Sequence, residues 1–251
     1  MSRPRELEMR SSAITLSDME VFIFPELMYS LVLANLMSPR IWRWRDDPWF
    51  GGLEKMKPYR EWLTASNYEA KASIGGSFVS EDIEDYYLTP YDVGYGPFVK
   101  FDHDFIGREA LEAMSGKAHR KKVTLALDNV SVTDALFTMF DDGLRAKFIE
   151  FPSAVYSMHP FDSVTVDGKL VGLSTWIGYS ANEGKLLTLA MLDEAHAEPG
   201  PEVTLVWGEP DGGTRKPTVE RHRQVEIKAI VSPAPYSKVA RTEYASGWRN
   251  E

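Results

Sequence analysis

Beyond residue 117 the chain alternates apolar and polar positions in short runs of strand length. Residues 121–127 (KKVTLAL), 185–192 (KLLTLAML), 202–208 (EVTLVWG) and 224–232 (QVEIKAIVS) each have a period near two, which suits half-buried strands. Residues 163–176 (SVTVDGKLVGLSTW) hold two such runs around Asp167-Gly168, the dipeptide that a type I′ hairpin turn favours. Pro199-Gly200 and Asp211-Gly212-Gly213 supply further turns. Two segments have helical spacing instead. In residues 105–114, Ile106, Ala110, Leu111 and Met114 fall on one face, with Gly116 placed as a C-terminal cap. In residues 132–140, Val132, Leu136, Met139 and Phe140 share a side. Five or six antiparallel strands with tight turns predict a small barrel or curled sheet.

The first part of the chain has a different texture. Residues 21–37 are apolar apart from Glu26, Asn35 and small polar positions, and 41–50 place three Trp within eight residues. An apolar run of that length, interrupted by Pro25 and an acid, is too short and too broken for a spanning helix. Glu6, Glu8, Asp18 and Glu20 precede it where a secretory leader would be basic. It reads as a helix that needs an apolar surface to cover it. Residues 57–63 suit a short helix or turn, and Gly75-Gly76 followed by Ser-Phe-Val suits a strand after a turn. Pro90, Gly94, Gly96 and Pro97 make residues 80–101 a structured loop with at most one short helix.

Composition narrows the chemistry. A net charge of -9, with 28 basic and 37 acidic residues intermixed, argues against a nucleic-acid binder, which needs a cationic face. The absence of cysteine excludes disulfides, thiolate nucleophiles and Cys-based metal sites, and a cytoplasmic location is expected. His103, His119, His159, His196 and His222 have no metal-ligand spacing, so no metal is expected. Neither G-x-S-x-G nor a strand-to-helix G-x-G-x-x-G occurs. The densest functional cluster is Glu81-Asp82-Ile83-Glu84-Asp85-Tyr86-Tyr87. Four carboxylates within five residues repel one another, so they stay solvated or meet donors from a ligand. A carboxylate accepts hydrogen bonds from the N–H groups of a pterin-like ring, and a Tyr stacks on such a ring. A solvated loop anchored by its tyrosines accounts for the same residues. Gly212-Gly213-Thr214-Arg215-Lys216-Pro217 is a turn followed by two cations, open to an anion, although an ordinary hairpin tip with exposed bases is the commoner explanation.

Several stretches together resemble one family. Asp82-Ile83, Thr89-Pro90, Asp92, Gly94 and the run Asp104 to Leu111 (DFIGREAL) follow the order of a pattern found in the glycine-cleavage T-protein (aminomethyltransferase) family. Residues 167–192 resemble that family's hairpin, and 199–208 its P-G-T-x-L strand. The wording of KPYREWL, GGSFVSEDIEDYYLTPYDVGYGPFVKFDHDFIGREAL, GGTRKPTVERH and VSPAPYS is similar to the bacterial tetrahydrofolate-dependent O-demethylases of vanillate and syringate. The resemblance runs from about Lys55 to Arg249.

The resemblance implies an α+β chain, with the end of a folate-binding domain at residues 55–118 and a C-terminal antiparallel β-barrel domain at 119–251. Residues 1–54 are unlike the family. It implies a transferase that moves the methyl of a methoxylated aromatic acid to tetrahydrofolate, without a metal. Asp82, Glu84, Tyr86 and Tyr87 match a loop near the folate, Tyr236 corresponds to a tyrosine near it, and Tyr179 falls in a barrel loop at the domain interface. These six are the expected cofactor-binding residues. No catalytic residue is assigned, because the groups that hold the substrate carboxylate and protonate the phenolate lie mainly in the family's N-terminal domain, which no residue here matches. The expected partners are the aromatic acid and either a second copy or a chain supplying that N-terminal half; neither nucleic acid nor membrane is expected. The alternative is a non-catalytic module that binds a partner or self-associates.

Overall fold

The computed structural model describes residues 74–80, 83–86, 88–105, 107–154, 156, 159–210, 212–213 and 219–243. The apolar run at 21–37, the Trp-rich stretch at 41–50, residues 57–63, and Asp82 and Tyr87 therefore lie outside the described residues.

Six strands close into one antiparallel barrel in the order β2 (Lys121–Leu127), β6 (Lys185–Leu192), β5 (Lys169–Ser180), β4 (Asp162–Val166), β7 (Glu202–Trp207) and β8 (Val225–Ser232), with β8 pairing back onto β2. This is the α+β chain with a C-terminal barrel that the alternating pattern and the resemblance led us to expect. The β4–β5 hairpin turns at Asp167 (φ 50) and Gly168 (φ 74), the two left-handed residues that a type I′ turn needs. Side chains on alternate positions fill the barrel. Leu125 and Leu127 of β2 meet Ala190 and Leu192 of β6, Leu205 and Trp207 of β7, and Ile227 and Ala229 of β8.

Helices are few and short. α1 (Arg108–Met114) starts three residues later than its spacing suggests and buries none of its side chains among the described residues. It ends at Ser115 rather than at a Gly116 cap, because the Ser115 backbone N–H and hydroxyl both donate to the Glu112 carbonyl. α2 (Asn129–Phe137) begins earlier than its apolar spacing suggests. Asp128 caps it by accepting from the Ser131 backbone N–H at 2.8 Å, a signal that an apolar search alone overlooks. A 3₁₀ turn, Thr138–Phe140, extends it. α3 (Lys238–Thr242) follows the barrel.

The segment before β2 lies on the barrel's outside. β1 (Ile74–Gly75) pairs in parallel with β3 (His159–Pro160), so this strand precedes the Gly75-Gly76 turn instead of following it. Tyr86, Leu88 and Val93 then pack on Phe161, Leu173 and Met191, forming a second core outside the barrel wall. The described residues of 80–101 form a loop as expected, but with two 3₁₀ turns, Ile83–Tyr86 and Gly96–Phe98, where at most one short helix was expected.

A buried ionic cluster joins this outer segment to the barrel. Glu209, just past β7, accepts from Lys147 Nζ at 2.9 Å and from the Gly76 N–H at 3.1 Å, both on Oε1. Asp162 accepts from the Ser77 N–H at 3.0 Å, and the Ser77 hydroxyl accepts from the Ser163 N–H at 2.8 Å. Lys147 Nζ also stands 4.3 Å from the Tyr156 ring centre and 4.9 Å from that of Trp207, and the Trp207 indole N–H donates to the Lys147 carbonyl. Burial would raise the Glu209 carboxyl, but Lys147 and the Gly76 N–H hold it below its ordinary value. Asp162 is different: burial pushes it up to about 6, only partly opposed by Lys147.

Two outcomes follow from this packing. Leu205→Ala empties a fully buried position of the barrel core and is expected to cost about 2–5 kcal/mol in denaturant unfolding. Asp162 sets a pH dependence. Between its ordinary value near 3.8 and about 6 the folded chain holds a proton that the unfolded chain has released. Its contribution is thus full below 3.8 and is lost as pH rises through about 6, a change of roughly 3 kcal/mol. Asp162→Asn keeps the acceptor for Ser77 and is expected to remove that decline from the thermal midpoint measured against pH. A decline of the same size in the variant would refute the assignment to Asp162.

Candidate functional site

Where the outer segment meets the ends of β6 and the start of β2, the described residues leave an open cleft of about 580 Å³. Its polar rim carries Asp85, Asp92, His119, Arg120, Asp193 and Glu194, and Phe78, Ala118 and Leu170 complete the wall. The carboxylates differ in how far they are already engaged. Asp92 is spent: Oδ2 accepts from the Thr89 N–H and hydroxyl, and Oδ1 accepts from the Arg120 N–H at 2.9 Å. It thereby ties the Thr89–Asp92 turn to the lead-in of β2. Asp193 is paired with the Arg120 side chain at 3.3 Å, and Glu194 with Lys121 at 2.9 Å. Asp85 is exposed and accepts a short hydrogen bond from the Ser80 hydroxyl. His119 is held from two sides: its ring stacks on Tyr91 with centres 4.6 Å apart, and Nε2 lies 2.8 Å from the Met114 carbonyl.

The cleft is therefore an acidic bowl with its cations already paired. Carboxylate oxygens in such a setting accept hydrogen bonds from a ligand's N–H groups, and the Phe78 face offers an apolar wall for a flat ring. Beside it, Lys122 lies under the Gly94-Tyr95 turn with Nζ 5.8 Å from the Tyr95 ring centre. Burial lowers its ammonium to about 8.

The residues singled out from the sequence fall in three places. Glu84 and Tyr86 belong to the 3₁₀ turn next to Asp85. Tyr86 is buried; its hydroxyl accepts from the Ser80 N–H at 2.8 Å and donates to the Phe78 carbonyl, and its ring packs edge-on to Phe78 and Phe161. It shapes the loop from below. Tyr179 lies near the end of β5, opposite Leu186 at the start of β6, half-exposed and edge-on to Phe151. Tyr236 lies four residues past the end of β8, whose Ser232 pairs with Thr124 midway along β2. Ala126 of β2 pairs with Leu187, next to the Tyr179–Leu186 pair, so along the strands Tyr179 and the end of β8 are offset by about three residues, roughly 10 Å.

The residues that sequence spacing overlooked are Asp92, His119, Arg120, Asp193 and Glu194 at the cleft. Thr89-x-x-Asp92 is a local turn pattern legible in retrospect. The other four meet only through the pairing of β2 with β6. Among the described residues no group of three or more His, Asp or Glu is arranged to hold a metal ion, and no helix is long and apolar enough to cross a membrane.

Comparison with known proteins agrees with this architecture. No family model matches the chain. It is 60% identical over 210 residues to syringate O-demethylase of Sphingobium sp., covering 83% of this chain and 46% of that protein. It is 30% identical over 203 residues to sesamin methylene transferase of Sinomonas sp., covering 77% of this chain and 41% of that protein. An aminomethyltransferase of Streptomyces avermitilis is 32% identical over 115 residues, covering 45% of this chain and 25% of that protein. The chain thus spans about half the length of the curated relatives it matches most fully. With its closed barrel and these matches, the chain belongs to the T-protein (aminomethyltransferase) family, corresponding to the C-terminal half of its members.

Proposed function

We propose that this chain serves in tetrahydrofolate-dependent methyl transfer from a methoxylated aromatic acid of the syringate or vanillate kind. The observation that carries the reading is 60% identity to a syringate O-demethylase across 83% of the chain. The donor chemistry of the cleft fits the cofactor. A reduced pterin presents N–H donors along one edge of a flat ring, and the cleft presents Asp85 and Glu194 beside Phe78. Tetrahydrofolate, when bound, supplies the secondary amine that accepts the methyl group. This chain's own part is to bind and orient. The carboxylates of Asp85 and Glu194 accept from the ring edge, and Arg120 is fixed at the rim by its pair with Asp193. Glu84, Tyr86, Tyr179 and Tyr236, with Asp82 and Tyr87 from outside the described residues, remain the proposed further contacts to an elongated ligand. Residues 55–118 act as the end of the folate domain and 119–251 as the barrel domain, in a cytoplasmic protein. No catalytic acid is assigned among the described residues.

A second reading, a non-catalytic module that self-associates or binds another chain, is favoured by one observation. Phe137 and Phe140, whose ring centres lie 5.7 Å apart, and Leu144 and Phe151 in the loop that follows are each more than half exposed among the described residues, and adjoining exposed apolar side chains commonly mark an interface.

Calorimetric titration with tetrahydrofolate separates the two. The first reading expects saturable binding by the chain alone or, mixed with a full-length relative, binding and 5-methyltetrahydrofolate formation from syringate beyond what the relative gives by itself. Loss of one carboxylate acceptor, as in Asp85→Asn or Glu194→Gln, is expected to weaken that binding by about tenfold, or about 1.4 kcal/mol. No heat from the chain alone and none beyond the relative's own in the mixture, together with a concentration-dependent increase in sedimentation coefficient, would leave the second reading standing alone.

A further inference from the structure

The buried ionic cluster is not part of the cleft, yet the chain that builds the cleft leaves the barrel through it. We propose that Lys147 and Glu209 form a buried latch that positions residues 76–80 and 83–86 against the barrel and thereby sets the geometry of the cleft. Glu209 and Lys147 are positioning residues in this view, since neither lines the cleft.

The argument begins with the route of the chain. At Gly76 the backbone takes φ +99 and passes so close to β4 that a Cβ there would stand 2.1 Å from the Phe161 carbonyl oxygen. The backbone has one way through, and two carboxylates hold its N–H groups in that passage: Glu209 at Gly76 and Asp162 at Ser77. Four residues beyond Gly76, Ser80 donates its N–H to the Tyr86 hydroxyl and its own hydroxyl to Asp85. Asp85 and Phe78 then line the cleft. A shift at Gly76 therefore reaches the cleft wall within a few bonds.

The cost of the arrangement suggests that it is kept for position. A buried ion pair is often no more stabilising than an apolar pair of equal volume, whereas removing one partner leaves an uncompensated charge. Here the lysine side chain is 2% and the glutamate side chain 8% exposed. Among the described residues Glu209 Oε2 has no hydrogen-bond donor, and it lies 3.2 Å from His222 Nε2. That nitrogen already accepts the Glu209 N–H at 2.8 Å, while Nδ1 lies 2.8 Å from the Glu220 carbonyl, the pattern of the Nδ1–H tautomer. One carboxylate oxygen is thus left facing a lone pair, and Oε1 carries both the lysine and the Gly76 N–H.

The test compares Lys147→Met, Glu209→Gln and the double variant by amide hydrogen exchange and by tetrahydrofolate titration; only the titration rests on the function proposed above. Each single variant is expected to speed exchange across the described amides of 76–86 by about tenfold more than at β2 and β6. Each is also expected to weaken tetrahydrofolate binding by about tenfold. The double variant, which removes the charges of Lys147 and Glu209 together and still offers Oε1 to Gly76, is expected to restore both to within about threefold. Uniform acceleration in every strand would mean a general stabiliser and overturn the proposal. So would local acceleration with unchanged affinity in a chain that binds tetrahydrofolate. If the single variants do not fold, the unsubstituted protein decides: Gly76 and Ser77 amides as protected as β7 support the latch, and free-peptide exchange there refutes it. If the unsubstituted chain binds no tetrahydrofolate alone, and adds none to a full-length relative's own binding in a mixture, while exchange behaves as expected, the proposed function falls and the latch remains.

Discussion

The pairing of β8 with β2 is the constraint on which the rest of this structure depends. It joins Leu127 to Ala229 and Thr124 to Ser232, so that a six-stranded sheet has no open edge. An open edge presents unpaired N–H and C=O groups, and closure satisfies them within the chain. Closure also creates an inside, and the alternation of each strand then decides which residues fill it. Leu125 and Ala190 face inward, while Met191 faces out and becomes part of the floor for the outer segment.

That outer segment is held by two different kinds of interaction. Tyr86, Leu88 and Val93 cover apolar surface on the barrel wall, which gives attraction without much direction. The carboxylates of Asp162 and Glu209 grip individual N–H groups at Ser77 and Gly76, which gives direction. Hydrophobic burial is roughly proportional to area and indifferent to small slides; hydrogen bonds to a buried charge weaken steeply with distance and angle. Together they place the acidic loop beside the corner where β6 ends, and the cleft is the space between them.

A family relationship resting on the C-terminal half carries a consequence for function. The residues that make the chain recognisable, such as Thr89-Pro90, Gly94 and Asp104 to Leu111, are largely those that form turns and the lead-in to the barrel. Thr89 and Asp92 fix a turn by hydrogen bonds to each other and to Arg120. Such residues report ancestry because the backbone needs them, and chemistry is a separate matter of what faces the ligand.

Local pattern was enough to determine the barrel strands, the type I′ hairpin and the antiparallel character of the barrel. Each depends on neighbours within a few residues: period-two alternation, and an Asp-Gly pair that tolerates positive φ at both positions. The same pattern misplaced the ends of both longer helices, because a cap such as Asp128 or Ser115 acts through hydrogen bonds that apolar spacing does not register. The acidic-aromatic stretch was legible as a candidate, but Tyr86 and Asp85, neighbours in sequence, proved to face the core and the cleft respectively. Only the tertiary structure decided that Lys147, Asp162 and Glu209 would meet, being 15 to 62 residues apart along the chain. It alone brought Arg120 beside Asp193 across the β2–β6 pairing. The physical reason is that long-range contacts follow from strand order and register, which closure of the whole barrel settles at once.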